Sequence, residues 1–235
     1  MKRLVMFGCI FLILLSACGG GDGTPASEPY PQMSAEQIIE RSSPLLDEQN
    51  SFHFKLDEEG GGTPINMGLI MMLAEGDIEP PDRGKMRMEA DWFGQFVEVK
   101  LVTVGTMTYM TNPINGKWEL LTNDFTAITL FQPDTGIRSV MESVTDLVRL
   151  ESERFGGTRC FRLQGNLDSM ALDAIAVGHA VEGLNVETDI WIGASDFLLR
   201  KVVFDGRVTK EEEEGIVRTL TLSRFNEPVK IELPE

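Results

Sequence analysis

Few side chains that commonly perform chemistry occur in this chain of 235 residues, which has three cysteines and two histidines. His53 and His179 share no motif with Cys160, so the material for nucleophilic catalysis is thin. The sequence has no Gly-x-Ser-x-Gly elbow, His-Glu-x-x-His pair, Walker loop or paired-cysteine metal site. With 37 Asp and Glu residues, no carboxylate pair is distinctive. We therefore predict no enzyme, no metal site and no cofactor.

Cys18 is the thiol with an informative context. It directly follows Leu15-Ser16-Ala17, which ends an apolar run over residues 4–15, and Lys2 and Arg3 precede that run. This arrangement resembles the lipobox of a bacterial lipoprotein signal peptide, which is cleaved before a cysteine that becomes acylated. The run is shorter than the about 20 apolar residues of a spanning helix. We predict that Cys18 is a lipid anchor on the extracytoplasmic face of the cell membrane.

Three segments follow from this assignment: a lipoprotein signal peptide over residues 1–17, a lipidated cysteine with a flexible tether over 18–33, and one domain over 34–235. The tether is rich in glycine and proline, a composition typical of flexible to semi-extended linkers. Such a tether keeps the domain close to its membrane, so an envelope transport partner would be needed to move a cargo further. We expect the domain to be a monomer.

The charge of the chain excludes one class of partner. The formal net charge is −16, and removal of Lys2 and Arg3 with the signal peptide changes it to −18. A surface this acidic repels polyphosphate, so we predict no nucleic-acid partner. Cys160 is the cysteine left in the folded part and cannot form an intramolecular disulfide. Its strand-like surroundings predict a buried structural residue.

The predicted elements begin with a helix and continue with strands. Ser34 and Gln37 have the spacing of a capping box, and Pro44 is expected to kink the helix that carries Ile38, Ile39, Leu45 and Leu46. Alternation over 51–59 places His53 on the solvent face of a strand. The run over 66–74 is apolar on both faces, so it is covered on both sides or covers something on one. Further strands are predicted over residues 85–92, 95–104 and 106–111, before an Asn-Gly turn at 115–116.

The second half of the chain is predicted to contain two amphipathic helices among strands. Apolar residues at helical spacing predict helices over 134–148 and 168–180, with His179 at the core edge of the second helix. The acidic run over 211–215 is interpreted as a solvated hairpin tip, because calcium loops place their ligands at alternating positions. The remaining predicted strands cover residues 148–154, 159–164, 186–192, 197–204 and 216–225.

Methionine is the positive clue to function, because many of the 12 methionines fall in the first strands. They are interpreted either as ordinary core filling or as the lining of a pliable apolar pocket, since methionine adapts to irregular apolar ligands. The sequence alone leaves both readings open. The members of this group are Met67, Met71, Met72, Met86, Met88, Met107 and Met110.

The order and spacing of several short motifs over residues 34–233 resemble the LppX/LprG-type bacterial lipoprotein family. These motifs are Ser51-Phe52-His53-Phe54, Met107-Thr108-Tyr109, Gly116-Lys117-Trp118, Asp189-Ile190-Trp191-Ile192, Leu199-Arg200-Lys201 and residues 222–231. The resemblance implies an α+β fold: a strongly curved antiparallel β-sheet, a half-barrel, with helices packed on its concave face around an apolar cavity. It also implies, as in carriers of the Lol type, a cavity that holds the acyl chains of lipids or glycolipids.

The leading hypothesis is therefore a membrane-anchored carrier of acylated lipids or glycolipids within the cell envelope, without catalysis. Two alternatives stay open: an envelope scaffold or protein-binding lipoprotein with a solid core, and a lipid-ester hydrolase with an unrecognised site. The inward strand stripes and one helix stripe supply the candidate cavity lining. The candidates are Phe52, Phe54, Leu56, Met86, Met88, Val97, Val99 and Leu101 from strands, and Ile137, Met141 and Val144 from a helix.

Overall fold

The structure, a computed structural model, describes residues 32–65, 68–122, 126, 128–132 and 134–234. The predicted signal peptide, Cys18 and all but the end of the tether lie outside these residues. Residues 32–235 form a compact unit with their own core. Within the described residues, no helix is both long and apolar enough to cross a membrane.

The described part of the chain forms one open antiparallel sheet with short helices. The strands run in the order β7-β6-β5-β4-β3-β1-β13-β12-β11-β10-β8, with β2 beside β3 and β9 beside β10. The strands are β1 (Phe52–Glu59), β2 (Thr63–Ile65), β3 (Leu69–Glu79), β4 (Arg83–Trp92), β5 (Gln95–Val104), β6 (Met107–Thr111), β7 (Trp118–Leu120), β8 (Thr145–Arg149), β9 (Glu153–Phe155), β10 (Thr158–Asp168), β11 (Asn185–Gly193), β12 (Leu199–Asp205) and β13 (Val217–Ser223).

Alternating burial gives the sheet two distinct faces. In β1, Phe52, Phe54 and Leu56 are buried while the residues between them are half-buried. Directly paired residues of neighbouring strands share a face, so Leu220 and Leu222 of β13 extend this buried row. We call the face with these buried residues the inner face and the opposite one the outer face. The alternation that predicted β1 is thus confirmed.

Short helices lie against the inner face. The first, α1 (Ala35–Ser42), begins with the predicted capping box, in which Ser34 and Gln37 each bond the backbone of the other. At Pro44 the chain tightens into a 3₁₀ helix (Ser43–Leu46), as expected for a residue that cannot donate within an α-helix. The second α-helix is α2 (Ile137–Ser143). Two further 3₁₀ helices cover Thr129–Phe131 and Ser169–Leu172.

The predicted helix over 134–148 is too long. Helix α2 ends at Ser143, Val144 is extended, and the chain continues as β8, which pairs with β10. Leu147 and Val148 fit a helical stripe, but in β8 they alternate between half-buried and exposed. Pairing with β10 therefore overrides the helical spacing of these last apolar residues.

The predicted helix over 168–180 is also wrong. Asp168 caps only the single 3₁₀ helix Ser169–Leu172, and the chain then turns, with positive φ at Val177 and Gly178. The Asp173 carboxylate accepts a hydrogen bond from the Ala180 amide, which favours this turn over a continuous helix. His179 is consequently exposed rather than at the edge of a core.

Of the two alternatives for the strand predicted over 66–74, the one with a single covered face is confirmed: Leu69 and Met71 of β3 are buried, whereas Ile70 is 40% and Met72 44% exposed. Residues 66 and 67 lie outside the described part. The expectation for the acidic run needs correction. The acidic run over 211–215 is not wholly solvated, because Glu212 is 7% exposed and contacts a buried arginine.

Candidate functional site

A small apolar cavity lies between the inner face of the sheet and two covering segments. Its floor comes from alternate residues of three adjacent strands: Phe54 and Leu56 of β1, Met71 and Ala74 of β3, and Met86 of β4. Its volume is about 40 Å³. The cover consists of residues from two stretches of chain: Thr126, Thr129, Leu130 and Phe131, and Ala174, Ile175 and Val177.

Ala74 borders this cavity, whereas the glycine at the next inner-face position of β3 does not. Ala74 and Gly76 occupy successive inner-face positions of β3, and Gly76 lies directly opposite Met86 of β4. A Cβ atom at position 76 would come 2.0 Å from the Lys85 carbonyl oxygen, so only glycine fits there. The sequence therefore places two minimal side chains next to a long methionine, and methionine side chains adapt readily to a changing space.

Aromatic contacts hold the first covering segment on the sheet. The Phe131 ring lies 5.0 Å from the Phe52 ring in an edge-to-face arrangement and 4.9 Å from the Phe54 ring. The Thr126 and Thr129 hydroxyls are 2.9 Å apart and support the turn before Phe131. The described residues of this segment, 126 and 128–132, have no strand pairing with the sheet, so their attachment depends on side-chain packing.

The second covering segment is a turn. The Ile175 and Ala176 amides both donate to the Leu172 carbonyl, and these three side chains are buried. Beyond this turn the Val181 amide donates to the Val208 carbonyl, which ties the segment to the loop between β12 and β13.

A buried ionic cluster lies on the inner face at one end of this region. Glu58 follows Leu56 on the inner face of β1 and pairs directly with Arg218 of β13. The Arg218 guanidinium donates to Glu212 and, over 3.2 Å, to the Thr63 hydroxyl. Thr63 in turn donates to the Glu58 carboxylate at 2.7 Å. The apolar row of β1 therefore ends at a charged group without access to solvent.

The cluster contains one cation and two carboxylates, and its electrostatics follow from that imbalance. Burial raises the pKa of Glu58 to about 7, although the Arg218 charge and the Thr63 hydrogen bond oppose this shift. Glu212 has the closer contact with Arg218 and also accepts the Val208 amide at 2.7 Å. With its pKa at about 7, Glu58 takes up a proton near neutral pH.

The residues proposed as cavity lining lie mostly in the interior of the protein. Ten of the residues are buried, and Val97 is half-buried. Phe54, Leu56 and Met86 border the cavity. Met141 and Val144 border a different space, a groove between α1 and α2. For the other predicted residues, contact with a ligand stays a prediction: Phe52, Met88, Val97, Val99, Leu101 and Ile137.

Sequence reasoning missed most of the cover. The run Ile128-Thr129-Leu130-Phe131 is apolar with an aromatic residue, and this was its only signal of burial. Ile175 stood on the predicted helical stripe, so its burial could be predicted although the helix is wrong. Ala74 carried no signal, because a small residue on an inner face becomes informative only when its neighbours across the space are known.

The reactive side chains Cys160 and His53 do not line the cavity. Cys160 is wholly buried, its thiol lies 3.6 Å from the Thr158 carbonyl oxygen, and burial raises the thiol pKa. His53 lies on the outer face of β1, with its Nδ1 atom 2.8 Å from Asp77. Among the described residues, no group of three or more His, Cys, Asp or Glu side chains could hold a metal ion.

The cavity is much smaller than an acyl chain requires. A volume of about 40 Å³ is close to that of a single water molecule, whereas pockets for small molecules measure about 300–1,000 Å³. An acyl chain can therefore enter only if the cover separates from the floor.

Taken together, the part of the chain that the structure describes belongs to the α+β class, with one open, mostly antiparallel sheet and two short α-helices. Residues 34–231 match the LppX_LprAFG lipoprotein family model. The match extends over most of the chain, so the protein belongs to the LppX_LprAFG lipoprotein family, as the resemblance in its motifs indicated.

Individual relatives agree with this membership. The lipoarabinomannan carrier protein LprG of Mycolicibacterium smegmatis is 24% identical over 228 residues, which cover 94% of this chain and 90% of the relative. The crystal structure of LprF from Mycobacterium bovis has a TM-score of 0.66 at 18% identity, covering 85% of this chain and 96% of LprF. The Mycobacterium tuberculosis lipoprotein LppX has a TM-score of 0.61 at 16% identity, covering 84% and 98%. The two structural likenesses support the fold.

Proposed function

We propose that this protein is a membrane-anchored lipoprotein that binds acylated lipids or glycolipids in an apolar cavity and carries them within the cell envelope. One observation carries the proposal: a methionine-containing apolar floor faces a cover of short segments across a small space. Membership of the LppX_LprAFG lipoprotein family and the relative named as a lipoarabinomannan carrier support it.

Binding requires the cover to separate from the floor. The floor belongs to strands joined by continuous backbone pairing, for instance β3 with β4. The cover is held by side-chain packing, such as that of Phe131 on Phe52 and Phe54. Elements with few backbone bonds to the rest of a fold open at the lowest free energy. We infer that the covering segments move while the sheet, curved as a half-barrel, stays in place.

The driving force is the burial of the acyl chain. A chain that leaves the bilayer loses its apolar surroundings, and a dry cavity replaces them at about 25 cal/mol per Å² of buried surface. The transfer of the acyl chain from the bilayer to the cavity therefore changes the free energy little. Binding has to offset the free energy that is needed to separate the cover from the floor. This balance suits capture and release rather than permanent storage.

The anchor proposal concerns residues outside the described part. Residues 1–17 would be removed, Cys18 acylated, and residues 18–33 would tether the domain to the extracytoplasmic face of the cell membrane. One acyl chain binds a bilayer only marginally, whereas two or three hold firmly. A Cys18→Ala substitution is expected to move the protein from the membrane fraction to the soluble fraction of its host. Retention after a high-salt wash, in a variant that mass spectrometry shows to lack residues 1–17, would contradict the anchor.

A scaffold with a solid core is the second candidate, and the small cavity volume of about 40 Å³ favours it. Native mass spectrometry of residues 32–235 after exposure to lipid extract distinguishes the two functions. A carrier is expected to retain acylated lipid and to bind a fluorescent fatty acyl probe saturably. A scaffold is expected to show the mass of the bare chain and no saturable binding.

A blocking substitution tests the site itself. Ala174→Trp places a bulky ring at the cavity wall, so we expect uptake of the probe to fall about tenfold or more. Ala171→Trp is the matched control, since Ala171 is also half-buried and precedes the same turn but does not border the cavity. Equal uptake by both folded variants would contradict the proposed site. Release of free fatty acid from a lipid ester would instead support the hydrolase hypothesis.

A further inference from the structure

An apolar patch lies on the outer face at the β7 edge of the sheet, on the opposite face from the cavity. Val102 pairs with Tyr109, Val104 with Met107, and Leu120 with Tyr109 across β5, β6 and β7. Directly paired residues share a face, so these side chains lie together. We call this group the edge patch: Val102, Val104, Met107, Tyr109, Trp118 and Leu120.

The edge patch is open to solvent. Leu120 is 54%, Met107 45% and Trp118 36% exposed. Exposed clusters of large apolar side chains mark interaction sites on monomeric proteins. Trp118 and Tyr109 add rings that are apolar with one polar group, the type of side chain that is enriched where membrane meets water.

Cationic side chains border the edge patch on one side. Lys85 pairs with Val102, Arg83 with Val104, and Arg87 with Lys100, so four cations follow the margin of the patch. A groove of about 370 Å³ beside it is lined by Lys85, Arg87, Lys100 and Trp118, with Glu75 and His53 also in its lining. This border is unusual in a chain with a net charge of −16.

The carboxylates that pair with these cations lie away from the patch. Lys85 contacts Asp77 of β3 at 3.2 Å, and Arg87 contacts Glu75 of β3 at 2.7 Å. Lys100 is 3.9 Å from Glu98, which is on the far side of Lys100 from Val102. Arg87 also contacts Glu89 of β4 and, at 3.4 Å, Glu98 of β5, and both carboxylates lie on the side of Arg87 and Lys100 away from Lys85 and Val102. At the level of Lys85 the order across the outer face is thus apolar on β5, cationic on β4 and anionic on β3.

We propose that the edge patch docks on the surface of an anionic phospholipid bilayer, with lipid phosphates at Lys85, Arg87 and Lys100. Apolar burial at the acyl boundary and the attraction of each basic residue, about 1 kcal/mol, would act together. Lysine and arginine can keep their charge at the headgroups while their stems lie along apolar surface. This docking is independent of whether the cavity accepts an acyl chain.

A second exposed apolar site has different surroundings. Phe93 and Phe96, at the hairpin between β4 and β5, are 79% and 68% exposed, more than any residue measured in the edge patch. Phe96 pairs with Asp91, and Asp91 lines a groove together with Glu211 and Glu213. Anionic lipid would be repelled there, so this pair is the matched control for the edge patch.

Vesicle co-sedimentation of residues 32–235, the compact unit without the proposed anchor, tests the docking. We expect binding to vesicles of phosphatidylcholine with phosphatidylglycerol, weaker binding to phosphatidylcholine alone, and a decrease with added salt. W118S/L120S should lower the partition coefficient about tenfold, equal to about 1.4 kcal/mol, and K85Q/K100Q should lower it on anionic vesicles only. F93S/F96S should bind as the unchanged protein does.

Three results would overturn the proposal. Equal losses in W118S/L120S and F93S/F96S would show general apolar adsorption. Unchanged binding in W118S/L120S, with folding verified by circular dichroism, would remove the patch from the interaction. The third result has two parts: the unchanged protein does not bind vesicles, and light scattering shows that it forms a concentration-dependent dimer that W118S/L120S does not form. This result would assign the edge patch to contact with a second copy of the chain.

Discussion

The Arg218 guanidinium lies 3.9 Å from the Glu58 carboxylate, and both side chains are wholly buried on the inner face of the sheet. They are directly paired across β13 and β1, next to residues that are otherwise apolar. Glu212, from the loop before β13, supplies the closer carboxylate. The ion pair thus fixes this loop to the sheet at the end of the apolar row.

Removal of the buried cation should be strongly destabilising. Arg218→Met leaves two buried carboxylates without their cation, so we expect the free energy of unfolding to fall by about 3–5 kcal/mol. Lys230→Met is the control, because the Lys230 side chain is 79% exposed and its ion pair with Glu232 should contribute less than about 1 kcal/mol. Urea denaturation measures both. A loss equal to that of the control would contradict the role of the cluster, and the double variant E212Q/R218M should recover part of the loss.

Stability should fall as the pH rises through the titration of Glu58. Burial raises the pKa of Glu58 from 4.5 to about 7, so the folded state holds a proton there that the unfolded state has released. Between these values the folded chain binds more protons, and its stability therefore decreases with pH, by about 3 kcal/mol in total. The full contribution is present below pH 4.5 and has been lost once the pH exceeds about 7.

The comparison with Glu58→Gln isolates this group from the other carboxylates. The variant cannot ionise at position 58, so its stability relative to the unchanged protein should increase between about pH 5 and pH 8. Urea unfolding at several pH values measures the difference. If that difference stays constant, the pKa of Glu58 is the same in the folded and unfolded states, and the prediction of a raised pKa is wrong.

Strands could be predicted well because their evidence is local. The alternation of Phe52, Phe54 and Leu56 with polar neighbours requires only that one face is buried, and it located β1 correctly. Helices were harder, because apolar spacing around Val144, Leu147 and Val148 also fits an extended strand. Pairing with β10, distant in sequence, decided between the two.

The site was less predictable because it depends on long-range contacts. No residue near Glu212 in the sequence indicates that its side chain contacts Arg218 and Glu58 in the core. The sequence therefore predicts that Glu212 is exposed to solvent together with its acidic neighbours. The floor residues Phe54, Leu56 and Met86 could be predicted from the inner stripe. The cavity around them depends on where Phe131 and Ile175 cover the sheet, which periodicity does not report.

A methyl group at Gly76 should disrupt the floor. The Cβ atom of Gly76→Ala would lie 2.0 Å from the Lys85 carbonyl oxygen and 2.7 Å from the Met86 Cα atom, both backbone atoms. Strands β3 and β4 would have to separate, and we expect a loss of about 3 kcal/mol. Gly61→Ala is the control, since its Cβ would meet only the Ile216 side chain, at 3.4 Å from Cδ1 and 3.8 Å from Cγ1. Similar urea midpoints for the two variants would contradict this close approach.

The predicted lining beyond the cavity can be tested on Val99. It is wholly buried on the inner face of β5 but does not border the observed cavity. If the opened cavity extends to β5, Val99→Trp in a folded protein should reduce acyl probe uptake, because the indole ring would occupy that space. Fluorescence titration measures the uptake. Unchanged uptake in a chain with native circular dichroism would remove Val99 from the lining.

Phe131 should control access to the cavity as well as stability, on the proposal that the cover moves. Phe131→Ala removes its two ring contacts with Phe52 and Phe54, so we expect a loss of about 2 kcal/mol together with faster uptake of a fluorescent acyl probe. Phe93→Ala is the control, because Phe93 is 79% exposed and lies at a hairpin tip. Stopped-flow fluorescence measures the uptake rate. Slower uptake in Phe131→Ala would mean that the ring belongs to the binding surface and not to the cover, since a weakened cover can only open more often.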